Sequence, residues 1–140
     1  MPVTQQVDTA IDWAKFARAR AELGGGFTRI LGYFREDGAK SIAAIEQAMK
    51  SGAAAPLVLP AHKLKTEAAE FGAVRLSKIA EHIEMTARDC VERHMAPGML
   101  MEDVADIRPL LEATLAELDA ACNPLMNRRP VTASGFSRSF

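Results

Sequence analysis

The sequence has few cysteines, no long apolar run and no signal-peptide pattern. Only Cys90 and Cys122 occur in 140 residues, which excludes a small secreted scaffold built on disulfides. No apolar stretch approaches the roughly 20 residues that a membrane-spanning helix needs. The N-terminal Met-Pro-Val-Thr-Gln-Gln contains neither a basic nor an apolar region, so we expect a cytoplasmic protein with both cysteines reduced and in the core.

An excess of charge of either sign is also missing. The formal net charge is −1 at pH 7, so neither nucleic acid nor an anionic membrane is an expected partner. The chain contains no glycine-rich phosphate loop, and therefore no ATP site and no autokinase activity are predicted. Cysteines and histidines do not show the close spacing of metal ligands, so no metal and no cofactor are expected.

What the sequence does contain is apolar residues with helical periodicity. They make up 49% of the chain, which is enough for the core of one domain of this length. No alternating strand pattern is present. We therefore predict an all-α fold, an antiparallel four-helix bundle with an additional short N-terminal helix. The bundle is expected over 8–122, with a disordered N-terminus at 1–7 and a mobile C-terminal tail at 123–140.

Cap, glycine and proline residues predict where the helices begin and end. Three glycines end the first helix, and Pro109 is expected in the first turn of the last. The predicted helices are a first one capped by Asp8 or Thr9 that reaches Leu23, a second over 27–50, a third around His62, a fourth over 73–95 and a last one, capped by Asp103 or Asp106, that reaches Cys122.

The third predicted helix has two different faces. Its apolar stripe repeats with spacings of four and three residues, typical of a helix packed in a bundle; the stripe consists of Leu57, Ala61, Leu64, Ala68 and Phe71. His62 lies outside the stripe and is predicted to face outward. Pro60 implies that regular helix begins just before His62 or has an irregular first turn, which would put the ring near the positive end of the helix dipole.

The residues around His62 form a short motif. A single histidine on a helix is usually an ordinary polar surface residue, and we interpret His82 and His94 in that way. The surroundings of His62 instead resemble the histidine phosphotransfer (HPt) domain, in which His-x-Leu-Lys-Gly is followed by a Gly-Ala pair. Thr66 departs from this pattern, since the family usually has glycine there. The matching residues are His62, Leu64, Lys65, Gly72 and Ala73.

The resemblance implies a carrier in multistep two-component phosphorelays. His62 would accept a phosphoryl group from the aspartate of a receiver domain, in a hybrid kinase or a response regulator, and pass it to another receiver. Lys65, one turn further on, would neutralise phosphoryl charge. Glu84 and Arg88 match positions that in some HPt domains orient the ring and approach the phosphate. Mg²⁺ would be needed only on the receiver, and the chain is expected to be a monomer.

The small side chains on the histidine face are the predicted docking surface for a receiver; they are Ala55, Val58, Thr66 and Ala69. Two other functions fit the same helices. One is a helical adaptor that binds a receiver without accepting phosphate, which the acidic Glu84 and the unusual Thr66 would favour. The other is the dimerisation domain of a histidine kinase, which would require an adjacent ATP-binding domain.

Overall fold

The computed structural model describes residues 10–122 of the chain. The predicted disordered segment 1–7 and the predicted mobile tail 123–140 lie outside the described residues. Short 3₁₀ turns occur at Gly24–Gly26 and Gly98–Leu100. The helices of the described part are α1 (Trp13–Leu23), α2 (Phe27–Ser51), α3 (Ala55–Glu70), α4 (Val74–Arg93) and α5 (Met101–Cys122).

Helices α2 to α5 form an antiparallel four-helix bundle, and α1 packs at one end of it. Helix α3 contacts α2 and α4, and α5 contacts the same two helices, so α3 and α5 occupy opposite corners. No strand lies between residues 10 and 122, which confirms the all-α prediction. None of the described helices is long and apolar enough to cross a membrane.

The apolar stripe of α3 lies in the core as predicted. Its five residues are at most 2% exposed: Leu57, Ala61, Leu64, Ala68 and Phe71. Gly38 of α2 faces the core at the same level, since a Cβ there would lie in ordinary van der Waals contact with Leu111 Cδ1 at 3.4 Å and Leu64 Cδ1 at 3.7 Å. Helix α2 continues through this glycine as one helix of 25 residues, in agreement with the single helix predicted over 27–50.

Several predicted helix boundaries were wrong. Asp12, rather than Asp8 or Thr9, caps α1, since its Oδ1 accepts a hydrogen bond from the Lys15 amide at 3.1 Å. Helix α5 begins at Met101, so neither Asp103 nor Asp106 precedes it and Pro109 lies in its interior. The start of α5 was predicted wrongly because Pro109 was expected in a first turn. Packing of the apolar face compensates for the backbone hydrogen bond that a proline removes inside a helix.

Helix α3 also begins earlier than predicted, at Ala55, with Pro60 inside it. His62 is therefore about two turns from the helix start. The expected position of the ring near the positive end of the dipole was wrong, because that field falls off within the first turn.

The two cysteines differ in burial. Cys90 is buried and Cys122 is partly exposed, and both are free thiols. Burial raises the pKa of the Cys122 thiol. The prediction that both lie in the core therefore holds fully only for Cys90.

The start of α1, at Asp12 and Phe16, is held against the turn between α3 and α4. Gly72 in that turn has φ of +78°, and its carbonyl accepts a hydrogen bond from the Asp12 amide at 2.7 Å. A Cβ at Gly72 would lie 2.5 Å from the Asp12 carbonyl oxygen and 3.2 Å from the Phe16 nitrogen. Edge-to-face ring contacts from Phe16 to Phe27 and from Phe27 to Phe71 continue this contact into the core.

Replacing Gly72 by alanine is expected to destabilise the bundle more than the same change at Gly52. Both glycines have φ of 78°, so either alanine costs about 1–2 kcal/mol for the left-handed conformation. Only at Gly72 does the new Cβ meet backbone atoms, which adds about 1–3 kcal/mol. Urea unfolding followed by circular dichroism measures both losses. Equal losses would show that the start of α1 does not pack on this turn.

Candidate functional site

His62 faces outward from the middle of α3, as predicted. Its side chain is 50% exposed. The ring nitrogen Nδ1 lies 2.9 Å from Oε2 of Glu84 on α4. The hydroxyl of Thr66 donates to the His62 backbone carbonyl at 3.1 Å, a bond that threonine commonly forms inside a helix. The ring is therefore positioned by a contact between two helices rather than by its own helix.

Glu84 is the centre of the arrangement. It is 2% exposed, and three basic side chains surround its carboxylate. Besides His62, the Lys65 ammonium lies 2.9 Å from Oε1, and Arg88 donates to Oε2 from Nε at 3.0 Å and Nη2 at 2.8 Å. We call His62, Lys65, Glu84 and Arg88 the Glu84 cluster. A buried charge is costly unless it is paired, and here both carboxylate oxygens have a cationic partner.

The neighbours of Glu84 keep it ionised. Burial, the largest influence, would by itself raise the pKa of Glu84, but hydrogen bonds from the three basic neighbours outweigh burial and lower this pKa to about 2. An ionised carboxylate only accepts hydrogen bonds. The hydrogen between Glu84 and the ring therefore belongs to Nδ1 of His62. The second ring nitrogen, Nε2, has no hydrogen-bond partner within residues 10–122.

The cluster has a charge balance that the sequence did not reveal. One carboxylate and the two cations Lys65 and Arg88 leave a single positive charge when the ring is neutral. A lone Glu84 would repel a phosphate. In the structure both cations contact this carboxylate, so the site as a whole favours an anion.

Lys65 and Arg88 differ in exposure. The Lys65 side chain is 26% exposed, and that of Arg88 is 53% exposed. Lys65 was predicted to lie beside His62, and it does so, but its ammonium contacts Glu84. The guanidinium of Arg88 donates two hydrogen bonds to the same carboxylate, and its remaining donors are available at the surface. Both cations therefore neutralise the Glu84 carboxylate. The neutralisation of phosphoryl charge by Lys65 stays a prediction.

The residues predicted to form a docking surface are not equally accessible. Ala55 and Thr66 are exposed, Ala69 is half-buried, and Val58 is half-buried and packs against the core. The sequence prediction missed Leu59, which is 76% exposed. Its position was available from the sequence, since a residue three places before His62 projects from the same side of the helix.

An open groove of about 680 Å³ adjoins His62 on the side away from Glu84. It runs between α2 and α3, and its lining residues include Lys40, Ala44, Leu59, Pro60 and Thr66. His62 thus lies on a ridge, with the Glu84 cluster on one flank and this partly apolar groove on the other.

The other histidines lie outside this site. His82 is exposed and its Nε2 lies 3.3 Å from Asp103 on α5. His94 ends α4 with φ of 59°. Both are exposed, as predicted. Among the described residues, no group of three or more histidine, cysteine, aspartate or glutamate side chains is arranged to hold a metal ion.

Glu84→Gln is expected to lower the free energy of unfolding by about 1–3 kcal/mol at pH 7, because three basic side chains lose their anionic partner. The pKa of Glu84 is lowered from 4.5 to about 2, so its stabilising contribution is complete above pH 4.5 and is lost as the pH falls towards 2. The difference in the free energy of unfolding between the unaltered protein and Glu84→Gln should therefore be smaller at pH 3 than at pH 7. Unfolding curves measured at both pH values test this.

Glu46→Gln is the matched control for this measurement. Glu46 pairs with Arg108 at 2.8 Å, but its side chain is 35% exposed, so the loss should stay below about 1 kcal/mol. An equal loss from both substitutions at pH 7 would contradict a special contribution of the buried cluster.

Comparison with known proteins agrees with this geometry. The model of the Hpt domain family matches residues 29–121, a range that includes His62 and the whole Glu84 cluster. No curated protein and no solved structure matches the chain with significance. Hpt domains are phosphotransfer carriers, rather than kinases, that interact with receiver domains. The chain therefore belongs to the Hpt domain family and takes part in phosphorelay signalling.

Proposed function

We propose that this protein is a phosphorelay intermediate in which His62 accepts a phosphoryl group from the aspartate of one receiver domain and passes it to another. The observation that supports this most directly is the state of the imidazole ring. The ring is half exposed, Nδ1 is held by a buried carboxylate at 2.9 Å, and Nε2 is left without a partner among residues 10–122.

Nε2 of His62 is the nucleophile in this proposal. A neutral imidazole with hydrogen on Nδ1 carries its available lone pair on Nε2. That lone pair attacks the phosphorus of an aspartyl phosphate, and the bond from phosphorus to the aspartate oxygen breaks. Such transfer depends mainly on positioning and charge neutralisation. The contact with Glu84 contributes the positioning, because it restricts rotation about the side-chain bonds of His62.

Lys65 and Arg88 supply the charge neutralisation. The phosphoryl group brings two negative charges next to a cluster that carries one net positive charge. Arg88 is the cation with the greater exposure, so it makes the more direct contact with the phosphoryl oxygens. Lys65 acts mainly by holding Glu84, so that the carboxylate does not repel the incoming group.

The receiver docks on the side chains that surround His62. Leu59, Ala55 and Thr66 are exposed there, and Val58 and Ala69 form the partly buried floor. Apolar groups beside a reactive residue are a common feature of contact surfaces. The chain acts as a monomeric carrier that needs no cofactor of its own, and Mg²⁺ is supplied by the receiver.

His62→Ala should abolish phosphoryl acceptance without unfolding the protein. The side chain is half exposed, and its removal leaves Glu84 with Lys65 and Arg88 as partners. Incubation with a phosphorylated receiver, followed by a measurement of acid-labile, base-stable phosphate, tests this. His82→Ala is the control, because His82 is exposed but lies on the α5 side of α4. It should accept label as the unaltered protein does.

The same experiment separates this function from a non-phosphorylated adaptor. An adaptor would bind the receiver and take no label, even with His62 intact. Labelling that persists in His62→Ala would assign the acceptor to another residue and contradict the proposal.

Leu59→Glu should weaken receiver binding by about tenfold or more, since a charge replaces an apolar side chain at the docking surface and would be desolvated on binding. Helicity should not change, because Leu59 is 76% exposed. Met101→Glu is the control: Met101 is 66% exposed and begins α5, at the opposite corner of the bundle. Titration calorimetry with one receiver compares them. Equal affinities would place the docking surface elsewhere.

A further inference from the structure

Glu84 is an acid at a place where an uncharged hydrogen-bonding side chain would also orient the ring. An amide can accept a hydrogen from Nδ1 or donate one to it, so it suits a ring with or without that hydrogen. An ionised carboxylate can only accept. The 2.9 Å contact with Glu84 Oε2 therefore favours one protonation state of Nδ1 as well as one ring orientation.

We propose that Glu84 is a positioning residue that keeps the hydrogen on Nδ1 of His62 throughout the transfer, so that phosphorylated His62 is an imidazolium and donates its phosphoryl group without first taking up a proton. This inference rests on the proposed function, and it adds a statement about how readily the carrier gives the group away.

The proton count is the same on both sides of each transfer step. Before transfer the ring is neutral with hydrogen on Nδ1, and the donor is an aspartyl phosphate. The Nε2 lone pair forms the N–P bond, while the electrons of the P–O bond leave with the aspartate carboxylate. The ring gains one positive charge and keeps its hydrogen. In the second step the N–P bond breaks, its electron pair returns to Nε2, and the ring is neutral again.

Glu84 does not remove the proton from Nδ1 of His62, because basic neighbours in the Glu84 cluster stabilise its ionised form. Among residues 10–122, the titratable groups within ion-pair distance of its carboxylate are His62 and Lys65 from α3 and Arg88 from its own helix. Because the pKa of Glu84 is about 2, the carboxylate is a weak base at neutral pH. It stabilises the imidazolium by its charge and leaves the hydrogen on the ring.

A phosphorylated imidazolium releases a neutral imidazole, which is a better leaving group than the imidazolate anion that a neutral phosphorylated ring would release. The phosphorylated protein should therefore transfer its group rapidly at and above neutral pH. With an amide at position 84, the phosphorylated ring would lose its hydrogen as the pH rises, and transfer would slow.

The test compares the unaltered protein with E84Q, using phosphoramidate as the phosphoryl donor and a purified receiver as the acceptor. Single-turnover transfer is measured from pH 6 to pH 8.5. The unaltered protein should show a nearly flat profile, while E84Q should slow by about tenfold between pH 6 and pH 8, since a nearby opposite charge typically shifts a titration by one unit or more. E46Q is the control and should match the unaltered protein, because Glu46 pairs with Arg108 at another helix contact.

The outcomes separate this inference from the proposed function. An unaltered protein that takes no label overturns both. A labelled protein whose pH profile is the same as that of E84Q overturns the inference alone, because a merely structural role of Glu84 would not change the profile. Nitrogen-15 NMR of the unaltered protein gives a second measurement that does not need the variant to fold. The neutral His62 ring should carry hydrogen on Nδ1. Hydrogen on Nε2 instead would overturn the inference and the assignment of Nε2 as the nucleophile, while labelling of the protein would still decide whether His62 accepts a phosphoryl group.

Discussion

The buried carboxylate of Glu84 is the interaction on which the rest of the site depends. A charge that is 2% exposed is tolerated only when it is paired and hydrogen-bonded. Here the partners come from α3 as well as from α4, so the same contacts that neutralise Glu84 also join the two helices. Because one of those partners is the exposed ring of His62, the contact that helps to neutralise the buried charge also orients that ring.

The position of Glu84 opposite His62 follows from the turn between α3 and α4. Gly72 lies at nearly equal distances along the chain from both residues, and its left-handed conformation reverses the direction of the chain. Alanines in the interior face of α3 let the helices approach closely. Ala61 and Ala68 are both fully buried. The turn and these small buried side chains together place His62 and Glu84 opposite each other on adjacent helices.

The two flanks of His62 would meet different requirements of the phosphoryl transfer proposed above. The α4 flank supplies charge and orientation through Glu84 and its cations, and it is mostly buried. The α2 flank offers a groove and the exposed Leu59, which suit a partner that docks and leaves. The proposed transfer requires both flanks, since a receiver must reach the ring and the charge of its phosphoryl group must be compensated there.

The all-α bundle, the outward direction of His62 and the family could be predicted from the amino-acid sequence, because helical periodicity and a short motif are local properties. The contact of Lys65 with Glu84, the ionised yet buried state of Glu84 and the engagement of Nδ1 rather than Nε2 could not be predicted in this way. These features depend on contacts between residues about twenty positions apart, whose distances follow from helix packing. The start of α3 could not be predicted from the sequence either, since packing of its apolar face outweighs the local effect of Pro60.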